Sequence, residues 1–206
     1  MSGAGETPRT TRDRRRLRGE RNRVRVMDAL LALLEEGRER PTARQIAERA
    51  GLSPRTVFQH FDDLDTLYSS LADRQTAKVA SLLRPVPVAG TLAERIAALV
   101  EQRARVFETI APVRRAALVA ASDSPLLAAR LAQGDEIMRQ RVEIVFAAEL
   151  GRLGEDVRRT LLDALDVATC FATWDVLRRR RRCSVEEARA VVELALRGAV
   201  TAASGC

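Results

Sequence analysis

Apolar residues recur at spacings of three and four along almost the whole chain, and no alternating run of β-branched residues of the kind that marks a strand interrupts them. The pattern predicts helices over residues 18–37, 42–50, 54–61, 63–83, 91–109, 112–121, 125–150, 155–180 and 185–203, an all-α chain. Val24, Met27, Leu30, Leu31 and Leu34 form the first stripe, with Gly37 at its end. Asp62 or Asp63 caps the helix bearing Leu64, Leu67, Leu71 and Val79, and Pro85 and Pro87 stop it. Thr91 with Glu94 and Ser184 with Glu187 have the spacing of capping boxes, and Pro112 and Ser124-Pro125 read as helix starts.

The most informative stretch is residues 42–67, two short helices about a tight turn. Thr42 and Gln45 make a capping box for the first, whose Ile46, Ala47 and Ala50 share one face while Arg44, Glu48 and Arg49 point elsewhere. Gly51 supplies the positive φ that ends it, and Leu52 returns to the same core. Ser53 and Pro54 open the second helix, which turns Val57 and Phe61 inward and carries Arg55, Thr56 and Gln59 outward. A helix pair with those three side chains at the front of its second member is a helix-turn-helix reading head.

The run Ala47, Ala50, Gly51, Leu52, Ser53, Thr56, Val57, Phe58, His60, Phe61, Asp65 and Leu67 resembles the DNA-binding signature of the TetR family of transcriptional regulators, over roughly residues 18–70. The resemblance implies a three-helix head at the N-terminus and a helical domain for ligand binding and dimerisation behind it, with residues 63–83 as the lever between them. Two positions depart from the family pattern: Phe58 stands for a tyrosine and Leu64 for a lysine, both of which meet phosphate. Phosphate contacts supply salt-dependent affinity without reading sequence, so the departures bear on affinity more than on function.

Charge agrees with a polyanionic partner for the head. Residues 1–61 carry 14 arginines against 8 acids, +6 of the net +7, and residues 62–206 carry 21 basic groups against 20 acids, +1. Lys78 is the only lysine, a bias that codon usage in a GC-rich genome would produce by itself. Residues 1–17 are polar and arginine-rich and should be a disordered arm when free, either solvated or laid along phosphates or in a minor groove. On the head, Arg55 is the candidate for a guanine, Thr56 and Gln59 come next, and Thr42, Arg44, Ser53, Phe58 and His60 complete the DNA-facing set; a structural role for His60 rivals its phosphate role.

Length and composition exclude several classes. No segment has the roughly 20 apolar residues that span a bilayer, and the N-terminus lacks the apolar run of a signal peptide, so a cytoplasmic protein is expected. Cys170, Cys183 and Cys206 have no metal-ligand spacing and read as reduced thiols. No cofactor is implied, and no nucleophile stands in a motif with a base, which leaves catalysis without support.

The last two helices are apolar on more than one side: Leu161, Leu165, Ala168, Ala172 and Val176 on one, Val185, Ala188, Val191, Val192, Ala195, Leu196 and Ala199 on the other. They suit a homodimer, whose two heads would meet half-sites about 34 Å apart on a palindromic operator. In the TetR family these helices form a four-helix bundle across the dimer, and an inducer occupies the second domain. Candidates to line such a pocket are Arg103, Phe107, Met138, Phe146, Cys170, Phe171 and Trp174, each of which also suits a plain core. The run Arg178–Arg182 reads as a solvated helix end rather than a second nucleic-acid site. The expected organisation is an arm at 1–17, a head at 18–65 and a ligand-binding and dimerisation domain at 66–206, acting as a ligand-released repressor on double-stranded DNA. Two alternatives stay open: a redox sensor through Cys170 or Cys183, and an architectural protein that binds DNA by charge alone.

Overall fold

The computed structural model describes residues 9–82 and 86–205, the side chains of residues 9–12 and 81–82 excepted. Every regular element among them is helical: α1 (Arg9–Glu35), α2 (Ala43–Ala50), α3 (Pro54–His60), α4 (Leu64–Leu82), α5 (Leu92–Ala120), α6 (Pro125–Val145), α7 (Ala147–Leu150), α8 (Glu155–Thr169), α9 (Phe171–Asp175), a π-helical turn (Val176–Arg180) and α10 (Val185–Ser204). They form two compact units, one of residues 1–74 with 112–127 and one of residues 75–111 with 128–206. The first unit therefore takes in a segment that the expected 18–65 head leaves out.

In the first unit α1, α2 and α3 pack mutually. Their core is Val26, Leu30, Leu33 and Leu34 of α1, Ile46, Ala47 and Ala50 of α2, Val57 of α3 and Phe61, joined by Leu67 and Leu71 of α4 and by Val113, Ala116 and Leu127. The turn is built as its residues demand. Gly51 sits at φ 62°, ψ 40°. Its N–H reaches the Glu48 carbonyl and that of Leu52 reaches Ala47 at 2.9 Å, which satisfies carbonyls the helix end leaves over. A side chain at Gly51 would be strained at that φ and would crowd the Arg25 guanidinium, 3.1 Å from where its Cβ would lie.

The second unit is cored by Ile96, Leu99, Val100 and Phe107 of α5, Val142, Val145 and Phe146 at the end of α6, Leu161 and Leu165 of α8, Trp174 of α9 and Val192, Leu196 and Val200 of α10. Helices α8 and α10 pack against each other. The Ser184–Glu187 capping box opens α10, and the Thr91 and Glu94 side chains and amides exchange the same bonds at the start of α5.

Several helix limits differ from the expected ones, each for an identifiable reason. Helix α1 begins at Arg9 rather than residue 18, because residues 9–18 hold neither glycine nor proline and arginine is a good helix former; residues 1–8 of the expected arm lie outside the described residues. Its buried stripe includes Val26 and Leu33, while Val24, expected inside, is exposed. Asp63, not Asp62, caps α4, its Oδ1 accepting the Thr66 N–H at 2.6 Å. Pro112 lies inside a continuous α5 instead of starting a helix. A proline there costs about 3 kcal/mol, which burial of Ala111 before it and Val113 and Ala116 after it offsets.

The expected 125–150 helix breaks at Phe146 (φ −105°, ψ 17°). The Val145 carbonyl, which an unbroken helix would give to the Glu149 N–H, accepts Arg95 Nη1, and Glu149 N turns to Phe146 O at 3.1 Å. The 155–180 helix breaks at Cys170, which is extended at φ −77°, ψ 163°. There Thr173 Oγ1 donates to Val167 O at 2.5 Å, a carbonyl that an unbroken helix would give to the Phe171 N–H.

Candidate nucleic-acid interface

The reading face is assembled on a head whose internal polar groups are already committed. Thr42 and Gln45 close their capping box, with Thr42 N–H donating to Gln45 Oε1 at 2.8 Å. Ser53 Oγ accepts the Thr56 N–H at 3.1 Å and bonds the Thr56 hydroxyl at 2.8 Å, so Ser53 and Thr56 hold the start of α3 and Thr56 is half-buried. Arg44, Arg55, Phe58 and Gln59 are exposed. Among the described residues Arg44, Arg55 and Gln59 make no hydrogen bond or ion pair, which leaves two guanidiniums and one amide free at the surface of a pair of short, fixed helices. The amide and guanidinium groups are the ones whose geometry matches adenine and guanine edges.

His60 is half-buried, its ring 3.7 Å from where a Cβ on Gly19 of α1 would lie, and its carbonyl accepts Arg23 Nη1 at 3.0 Å. The exposed ring of Phe58 and the half-buried Leu64 occupy the two positions that depart from the family pattern.

Two arginines of α1 set the head, and sequence reasoning missed both. Arg23 donates to His60 O and to Ser70 Oγ, at 3.0 Å each, and stands 4.4 Å over the centre of the Phe61 ring, a cation–π contact that joins the end of α3 to α4. Arg25 Nη2 donates to Ala50 O at 2.6 Å, a cation on the C-terminal carbonyls of α2 where the helix dipole favours one. Nothing in the pattern distinguishes them from the solvated arginines of the same helix. Arg49 pairs with Glu36, whose carboxyl that bond holds below its usual range.

The residues expected around a ligand all belong to the second unit, and most are brought together there. Phe107 meets Phe171 edge-on at 5.6 Å between ring centres and lies 6.3 Å from Trp174. Trp174 Nε1 donates to Glu108 Oε1 at 2.8 Å. Arg103 is 2% exposed and its Nη2 donates to the Met138 carbonyl at 2.7 Å. Phe146 is fully buried at the helix break, and Cys170 and Cys183 are half-buried free thiols, with Cys170 Sγ 3.6 Å from Thr173 Oγ1; Cys206 lies outside the described residues.

The arginine run does not act as a unit. Arg178 grips Glu108, Nε to Oε1 at 2.8 Å and Nη2 to Oε2 at 3.1 Å, and also donates to Cys183 O; Arg179 to Arg182 are exposed, with Arg182 at φ 55° where the chain turns into α10. Among the described residues no cluster of His, Cys, Asp or Glu is placed to hold a metal ion, and no helix is long and apolar enough to cross a membrane.

No protein-family model matches the sequence and no curated protein does. Solved structures do match. A transcriptional regulator from Rhodococcus sp. Rha1 superposes with a TM-score of 0.68 at 21% identity, over 87% of this chain and 96% of its own. A proposed TetR-family transcriptional regulator from Mesorhizobium loti MAFF303099 does so with a TM-score of 0.59 at 19% identity, over 90% and 98%. At these identities the likeness is one of fold, and it spans nearly the full length of both chains.

Proposed function

We propose that this chain, built on the fold of the TetR-family transcriptional regulators, is a cytoplasmic DNA-binding regulator that holds a palindromic operator as a homodimer and leaves it when a small molecule binds. The observation that carries the reading is the free and exposed state of Arg44, Arg55 and Gln59 on helices whose own caps and core are complete. Arg55 reads a guanine, Gln59 reads a neighbouring base, and the Phe58 ring lies against thymine methyls or sugars. Thr42 and Arg44 meet phosphate at the front of α2, and the N-terminal arginines of α1 extend the same contact.

Dimerisation through the last helices is supported by what α8 and α10 leave uncovered. Val157, Ala164 and Val167 are exposed along α8, and Val191, Leu194, Ala195, Gly198 and Ala202 along α10 at spacings of three and four, while Leu161, Leu165, Val192 and Leu196 face the core. Leu194, 73% exposed, stands within this stripe, and a contiguous exposed apolar stripe marks an interaction face where a scattered residue would not. Ligand release then follows from population shift: a molecule preferred by the non-binding state of the dimer weakens DNA binding, and DNA weakens its binding by the same factor.

Selection of bound duplexes from a random pool at near-physiological salt, with Arg55→Ala beside the intact protein, tests the reading. A two-fold motif is expected, with preference relaxed at one position per half-site in the variant by about 1–3 kcal/mol. Retention that shows no motif and collapses as salt rises would replace the regulator with a charge-driven architectural protein.

A further inference from the structure

Arg103 is out of place in its surroundings. Helix α5 carries it into the apolar core of the second unit, one turn before Phe107, and its Nε and Nη1 are buried with no hydrogen-bond partner. A guanidinium offers five N–H donors, and Arg103 uses Nη2 alone, on the Met138 carbonyl. Among the described residues it makes no ion pair. Asp166, the carboxylate whose charge reaches it most, accepts instead from Arg139 at 3.4 Å, alongside the 2.5 Å pair of Arg139 with Asp163. Burial lowers its pKa to about 10, which leaves it a cation at neutral pH. Buried arginines are as a rule paired, and a buried polar group without a partner calls for one.

What stands nearest along the chain suits an organic anion. Phe107, Phe171 and Trp174 form an aromatic cluster one turn along α5, and the half-buried Met138 adds an adaptable thioether. The backbone is irregular there as well: α8 ends at the extended Cys170 and a π turn follows α9, and such turns recur at functional sites.

We propose that the small molecule taken up by the second unit is a carboxylate with an apolar or aromatic body, its charged end on one of the unbonded nitrogens of Arg103, Nε or Nη1, and its body against Phe107, Met138 and the neighbouring rings. The inference deepens the ligand half of the regulator reading and depends on that reading only for its effect at DNA. A carboxylate accepting from Nε–H or Nη1–H makes a charge-assisted hydrogen bond to the guanidinium, whereas the corresponding amide has the same shape and no charge.

Trp174 is the single tryptophan of the chain, so its fluorescence reports on this cluster alone. The full-length protein is titrated with monocarboxylates from acetate to decanoate, with benzoate and with phenylacetate, each beside its primary amide. Saturable change of Trp174 emission by at least one acid, with its amide weaker by about 10-fold or more, is expected. Arg103→Met should abolish the difference between acid and amide while remaining folded by circular dichroism, and Arg103→Lys should keep part of it. No acid binding better than its amide, or a preference that survives in Arg103→Met, overturns the proposal. Duplex selection on the same samples separates the two readings: a two-fold motif without acid preference removes the anion and leaves the regulator, and acid preference through Arg103 without a motif does the reverse.

Discussion

The two units treat their polar groups in opposite ways. The first keeps a largely apolar core, with Ser124 buried as a helix cap, and settles its helix ends with local devices: the Thr42–Gln45 box, the Ser53 cap, the left-handed Gly51 and the guanidiniums of Arg23 and Arg25. On the two reading helices Arg44, Arg55 and Gln59 stay unbonded among the described residues and face outward. The second unit buries its exceptions. Arg95, with 6% of its side chain exposed, is tied to Glu149, Arg103 sits in the core with two free nitrogens, and helices break at Phe146 and Cys170. In the regulator we propose, local rules are kept where a rigid surface would meet a rigid duplex and are broken inside the unit that would adapt to a ligand, which is where departures from consistency are expected in working proteins.

Each unit holds one optical reporter, Tyr68 in the first and Trp174 in the second, so the contrast can be broken experimentally one side at a time. The largest effect is expected from Phe61→Ala, which removes a buried ring and the surface under Arg23, at a cost of about 3–5 kcal/mol to the first unit. Burial pushes the Tyr68 phenol up from 10.0 to about 12. A raised acid of this kind contributes stability that is complete below pH 10 and lost as pH rises through about 12. Tyrosinate absorbance of the native protein should therefore appear late, and should return toward pH 10 in Phe61→Ala while Trp174 emission stays native. A phenol that titrates at pH 10 in the intact protein would refute the burial.

Glu149→Ala is the matching cut in the second unit. It strands a buried guanidinium that now donates to Glu149 at 2.5 and 3.0 Å, and a loss of about 3 kcal/mol should appear in Trp174-detected melting without shifting the melting seen at Tyr68. Equal shifts at both reporters would mean that the two units melt as one.

Smaller effects compare the caps. Thr42→Ala and Ser184→Ala should each cost about 1 kcal/mol. Their pH dependence should differ, because the Ser184 N–H and then its hydroxyl hold the Glu187 carboxyl below its usual value near 4.5 and Ser184→Ala removes the hydroxyl, whereas Gln45 does not titrate. The Glu187 contribution is present above that value and fades as pH falls through the lowered one, so the Ser184→Ala penalty should shrink on acidification and the Thr42→Ala penalty should not.

The same contrast explains what could be read from residues alone. The head was legible because its determinants are local: a cap, a glycine and a proline at fixed offsets place α2 and α3, and period alone separates Ile46 and Val57 from Arg55 and Gln59. The breaks at Phe146 and Cys170 were not, since each arises when a distant or hydroxyl-bearing side chain competes for a carbonyl, as Arg95 does from fifty residues away. The continuity of α5 through Pro112 was hidden for the converse reason, burial on both sides of the proline outweighing a local stop signal. Arg23 and Arg25 were masked by abundance, for in a chain this rich in arginine the few that bond inward carry no mark. The solvated reading of the Arg178–Arg182 run missed that its first member is anchored on Glu108.

The first unit is finished by residues that arrive late. Val113, Ala116 and Leu127 pack into its core, yet more than thirty residues of the second unit separate them from Arg74. On a translating ribosome the reading helices would emerge with one wall of their core still unsynthesised, so the head cannot reach full stability until Leu127 has left the exit tunnel. A fragment ending near residue 74 should accordingly be a poor stand-in for the head, and nascent chains that stall between residues 74 and 112 should be open to protease at α2 and α3 when those extending past 127 are not.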